Sequence, residues 1–105
     1  MLEENDNLEF GTLVLATLNK NDTYGYMLTQ QIKKIISLSE SALYPTLRQL
    51  QSKKFVTTYD REYNGRNRRY YSITQSGKDE LQKRIDNWNI YKAQVEKILR
   101  GEIYD

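Results

Sequence analysis

The stretch SESALYPTLRQL, residues 39–50, holds the only proline of the chain among letters that otherwise read as helix. Leu43, Leu47 and Leu50 recur at i, i+4 and i+7, which is one stripe of an α-helix. A proline in a helix interior costs about 3 kcal/mol, because it removes a backbone hydrogen bond and crowds the preceding turn. The spacing nevertheless predicts a helix over residues 39–53, with Ser41, Tyr44, Pro45, Arg48, Gln49 and Ser52 on its outer face. Ser37 with Glu40 has the spacing of a capping box, and Ser39 is a second candidate cap nearer the apolar stripe.

Working upstream, NLEFGTLVLATLNK places Phe10, Leu13, Val14, Thr17 and Leu18 on one face and predicts a helix over residues 8–19. In TYGYMLTQQIKKII, Tyr24, Leu28, Ile32 and Ile35 form an apolar stripe, while Tyr26, Gln30 and Lys33 point the other way. Downstream, residues 55–59 and 69–73 are rich in β-branched and aromatic residues and flank an Asn-Gly turn signal, which predicts a β-hairpin with a basic tip. Tyr70 and Tyr71 point to opposite faces, so one is expected in the core and the other beside the tip's ligand. The last segment opens with Ser76 and Asp79 at capping-box spacing and closes on Gly101, a natural helix stop. Within it, Leu81, Ile85, Trp88, Lys92, Val95 and Leu99 repeat with spacings 4, 3, 4, 3, 4, the seam of a coiled coil. A second copy of the chain is the expected partner.

A chain of 105 residues is one small unit, so function belongs on its surface or between copies. It has no cysteine and no histidine, which removes thiol nucleophiles, imidazole bases and the usual zinc ligand sets. Asp, Glu, Lys and Tyr remain as catalytic candidates and do not cluster in the sequence, so neither an enzyme nor a cofactor is expected. No apolar run approaches the roughly 20 residues that span a bilayer, and the first ten residues are acidic, so a cytoplasmic protein without a membrane partner is expected. The net charge is only +2, but residues 39–73 carry seven basic and three acidic groups while the flanks are acidic or neutral. A local basic patch holds a polyanion by counterion release even on a nearly neutral molecule.

Helix, helix, helix and hairpin in that order predict an α+β winged helix-turn-helix over residues 1–75, followed by a long C-terminal dimerisation helix over 76–105. An α-helix fits the B-DNA major groove, and a hairpin wing adds phosphate or minor-groove contacts beside it. The basic segment is the third helix plus the hairpin, so charge and topology point to the same surface.

YGY at 24–26, SALYPTLRQLQ at 41–51, NGRNRRYYSIT at 64–74 and SGKDEL at 76–81 resemble the PadR-like bacterial transcriptional regulators, in the compact branch with one C-terminal dimerisation helix. The resemblance spans nearly the whole chain; Asn67 departs from it, because the family's wing often has proline there. It implies a homodimer that binds an operator of double-stranded DNA, as a repressor, with release by a hydrophobic aromatic small molecule. It also implies that Leu43, Tyr44 and Pro45 lie in the recognition helix. Pro45 then has two readings: it opens the first turns so that Ser39, Ser41 and Tyr44 approach a phosphate or base edge, or it sits in a first turn that tolerates proline. Tyr26, Arg48 and Gln49 join the expected DNA contacts, with Asn64, Gly65, Arg66, Arg68 and Arg69 from the wing. Trp88 either stacks on an effector at the dimer interface or fills a gap in the seam, and Lys92 either sets pairing register or marks an opening there. The competing reading is a winged-helix protein-interaction module without sequence-specific DNA binding.

Overall fold

The computed structural model describes residues 10–37 and 40–102. In chain order the elements are α1 (Phe10–Lys20), β1 (Thr23–Tyr24), α2 (Gly25–Lys33), a 3-10 turn (Glu40–Ala42), α3 (Leu43–Ser52), β2 (Val56–Tyr63), β3 (Arg66–Ile73) and α4 (Gln75–Leu99). Three helices followed by a hairpin is the α+β winged-helix arrangement that the sequence predicts.

The core forms where the apolar stripes of the helices meet one face of the hairpin. Val14, Leu15 and Leu18 of α1 pack with Leu28 and Ile32 of α2, the α3 stripe Leu43, Leu47 and Leu50, and Val56, Tyr71 and Leu81. Leu15 lies off the expected stripe yet is fully buried, because α1 is the central helix, touching α2, α3, β3 and α4. Ile35 leaves its expected stripe for a physical reason: α2 ends at Lys33, the amides of Ile35 and Ile36 both turn back to the Ile32 carbonyl, and the Ile35 side chain is 86% exposed.

The proline question resolves at the start of α3. The predicted helix over 39–53 divides into the 3-10 turn and an α-helix that begins at Leu43, with Ala42 as N-cap. Pro45 is therefore the third helical residue, in the turn whose N–H groups have no intrahelical acceptor, and its missing donor costs the helix nothing. The Ser37–Glu40 capping box is replaced by an ion pair, in which Lys33 Nζ lies 2.7 Å from Glu40 Oε2. Ser39 lies outside the described residues.

β2 and β3 pair antiparallel from Val56↔Ile73 to Tyr63↔Arg66, longer than the predicted strands because polar residues continue the ladder beyond the core. Asn64 (φ 54°) and Gly65 (φ 77°) both lie in the left-handed region, as a two-residue hairpin turn requires. β1 pairs with β3 through Thr23↔Tyr71 and Tyr24↔Tyr70, giving the strand order β1-β3-β2. Tyr70 and Tyr71 are both buried at 7% exposure, which corrects the expectation that only one would be. Tyr71 enters the core, whereas Tyr70 is covered on the opposite face by Tyr24 in an edge contact at 5.5 Å and by Tyr59 stacked at 5.6 Å.

α4 is capped by Thr74 rather than by Ser76: the Thr74 hydroxyl accepts the Gly77 amide at 3.0 Å and donates to the Lys54 carbonyl at 2.7 Å. Asp79 is engaged by Gln75 instead. At the other end, the Glu102 amide bonds the Lys97 carbonyl and the Gly101 amide the Ile98 carbonyl, with Gly101 at φ 77°, the Schellman stop that its glycine predicts. The first turns of α4 dock on α1, where Arg84 reaches Thr12 Oγ1 at 3.3 Å and Glu80 Oε2 at 2.8 Å. Leu81 therefore belongs to the chain's own core at 4% exposure, correcting its place in a seam for a partner. The rest of α4 runs outward, and with the wing it raises the radius of gyration to 16.2 Å, against about 13 Å for a compact chain of this length. No helix among the described residues is long and apolar enough to cross a membrane.

Candidate nucleic-acid interface

The basic residues of the central segment converge because α3 and the wing stand side by side. On α3, the core stripe fixes the helix rotation, which turns Tyr44, Arg48 and Gln51 to one flank. On the inner face of the wing, alternation along β2 and β3 carries Tyr71 into the core and sets Asp60, Asn67 and Arg69 beyond it toward the tip. These residues, with Tyr24, Gly25, Tyr26 and Arg68, line an open groove of ≈ 660 Å³.

The start of α2 forms the groove's end wall. Its N-cap, Tyr24, makes no side-chain cap hydrogen bond, so the first-turn amides are left for an anion or for water. Gly25 is needed here by close approach: a Cβ would stand 2.6 Å from Tyr44 Oη and 3.0 Å from its Cζ. The phenol of Tyr44 thus lies across the first turn of α2, half exposed, beside Tyr26. Arg48 and Arg69 bring positive charge near Tyr71, whose phenol is nevertheless held above its ordinary value by burial. One carboxylate enters the groove: Asp60 sits 3.9 Å from Arg69 Nε, with both side chains well exposed.

Of the residues expected to contact DNA, the groove gathers Tyr26, Tyr44, Arg48, Arg68 and Arg69. Asn64, Gly65 and Arg66 lie exposed at the wing tip, and Ser41 lies exposed in the 3-10 turn. Gln49 turns to the other flank of α3, where it lines a cleft of ≈ 60 Å³ with Gly11, Lys53 and Arg84. Sequence reasoning missed Gly25, Gln51, Asp60 and Asn67 as lining residues, and read Tyr24 only as part of a helix stripe. The available signal was Gly25 itself, between two tyrosines at the start of a helix.

On the projecting part of α4, Trp88, Tyr91 and Val95 are half-buried, whereas Ile85, Ile90, Ile98 and Leu99 are exposed, the last at 78%, and Lys92 faces solvent. Trp88 and Tyr91 pack at a ring-centroid distance of 6.2 Å.

Residues 14–83 match the family model of the transcriptional regulator PadR-like family. The chain belongs to that family. Among solved structures, it is similar to a protein of Streptococcus mutans UA159 at 39% identity and TM-score 0.85, over 94% of this chain and 93% of that one. A PadR-like transcriptional regulator of Bacillus cereus superposes with TM-score 0.80 at 26% identity, over 96% of this chain and 97% of that one. Bacillus subtilis PadR, solved in complex with operator DNA, matches at 28% identity and TM-score 0.63, over 71% of this PadR-like chain and 45% of that protein.

Proposed function

We propose that this chain is a homodimeric transcriptional repressor that reads an operator with α3 and grips the adjacent backbone with the wing. The observation that carries the reading is the groove: Arg48 from the recognition helix, Arg68 and Arg69 from the wing, and the uncapped first turn of α2 all open into one trough beside the exposed face of α3. Family membership and the operator complex of the Bacillus subtilis relative support DNA binding. In this mode α3 enters the major groove, where Arg48 and Gln51 have the chemistry for guanine and adenine edges. Tyr26, Tyr44 and the wing arginines meet phosphates, fixing register. Ser41 and the tip residues Asn64, Gly65 and Arg66 extend the contact at its margins.

In this reading the dimer forms through α4 beyond its contact with the core, where Ile85 and Leu99 are exposed and Val95 is half-buried. Two recognition helices then reach successive major grooves about 34 Å apart. An aromatic effector that enters beside Trp88 and changes the angle between protomers changes that distance. It releases DNA only to the extent that it binds the released state more tightly.

The test is fluorescence anisotropy with labelled DNA from upstream of the protein's own gene and a scrambled duplex of equal length, each across a salt series. Selective binding with a steep salt dependence is expected. Equal, weak binding to both, together with no enriched sites in a genome-wide search for bound DNA, would favour the protein-interaction module.

A further inference from the structure

The outer face of the wing, opposite the core, carries a layer of aromatic rings and guanidinium groups. The register sets Tyr24, Tyr70 and Tyr59 in one row across β1, β3 and β2. One step toward the tip on that face, β1 has ended, and Arg68 takes the open place diagonal to Tyr24, with Tyr63 diagonal to it from β2. The Arg68 guanidinium carbon lies 4.5 Å from the Tyr24 ring centroid and 5.7 Å from that of Tyr63. Its Nε is buried without a hydrogen-bond partner. Among the described residues Arg69, Arg84 and Arg100 each have a carboxylate partner, and Arg68 has none.

A surface arginine ordinarily leaves its nitrogens in water. Here a desolvated Nε is kept so that the guanidinium can rest on two rings at the edge of the groove. Rings cover guanidinium faces and leave the in-plane N–H donors free, which are the donors that a phosphate takes bidentately. An arginine with restricted rotamers also loses less freedom when it binds.

We propose that Tyr24 and Tyr63 are positioning residues that hold Arg68 in order before DNA arrives, so that the wing presents a preformed site for one phosphodiester group. The proposal rests on the groove being the DNA interface and adds two residues that need not touch DNA themselves.

The experiment compares the full chain with Arg68→Ala, Tyr24→Leu, Tyr63→Leu and Tyr63→Phe, titrated into one labelled mixed-sequence duplex at several NaCl concentrations. Arg68→Ala is expected to weaken binding and to reduce the slope of log affinity against log salt by about one, the loss of one phosphate contact. Tyr24→Leu and Tyr63→Leu are each expected to weaken binding about two- to fivefold with the slope unchanged, and Tyr63→Phe, which keeps the ring, to bind as the parent does. Wild-type binding by both leucine variants alongside a weakened Arg68→Ala would overturn the positioning role and leave the DNA interface standing. Wild-type affinity and slope for Arg68→Ala would remove the phosphate contact itself. Tyr24 also packs against Tyr70, so if Tyr24→Leu lowers the melting temperature, the half-exposed Tyr63 decides the outcome.

Discussion

At the scale of single residues, the groove depends on close packing more than on charge. Gly25 leaves room for the Tyr44 phenol, which stands 2.6 Å from where a Cβ would be. Gly25→Ala should swing that half-exposed ring aside, leaving stability within about 0.5 kcal/mol of the parent while DNA affinity falls several-fold. Thermal melts alongside DNA titrations check both halves. Two phenols report on the fold through pH. Tyr59 donates to Asp22 at 2.7 Å and is raised above its ordinary value chiefly by that hydrogen bond, and Tyr71 is raised chiefly by burial. Both are favoured neutral in the folded state, so their contribution is intact below the unfolded tyrosine value of about 10 and is lost as pH rises through the higher folded values. The melting temperature should therefore show no tyrosine-linked fall up to about pH 9 and should decline above about pH 10. In Tyr59→Phe, tyrosinate absorbance should lose one of the late-titrating phenols.

At the scale of elements, the hydrophobic period made the helices legible, and the Asn-Gly pair made the hairpin legible. Leu43, Leu47 and Leu50 fixed the rotation of α3, and with it the flank that holds Tyr44 and Arg48. What sequence could not supply were features that depend on distant partners. β1 is two residues long and exists because β3 offers it an edge. Tyr70 is buried on the outer face because Tyr24 and Tyr59 flank it, an arrangement set by register across three strands. Leu81 continues the seam by spacing, yet the docking of α4 on α1 takes it into the core. Thr74 was hidden by the better capping pattern of Ser76 and Asp79, and it prevails because its hydroxyl also reaches Lys54 in the turn after α3. Thr74→Val removes the helix cap and this tether together and should cost about 1–2 kcal/mol, measured by urea unfolding.

At the scale of the whole molecule, the winged-helix unit holds the start of the outward helix α4 through contacts that include Leu81 and Arg84. Polar substitution on the outer half of α4, Val95→Lys with Leu99→Lys, should yield monomers in sedimentation velocity, leave the winged-helix unit folded, and weaken operator binding strongly because two half-sites no longer act together. The same variant bound to a single half-site should match the isolated affinity of one protomer.

The central claim is that the groove between α3 and the wing, and not positive charge in general, binds DNA. The most direct test compares two doubly substituted proteins of equal net charge: Arg48→Ala with Arg66→Ala at the groove and wing tip, and Lys83→Ala with Lys97→Ala on the exposed surface of α4. The groove variant should lose affinity for the bound duplex and show a salt slope smaller by about two, while the α4 variant retains both. Equal losses in the two proteins, or a loss confined to the α4 variant, would contradict the account.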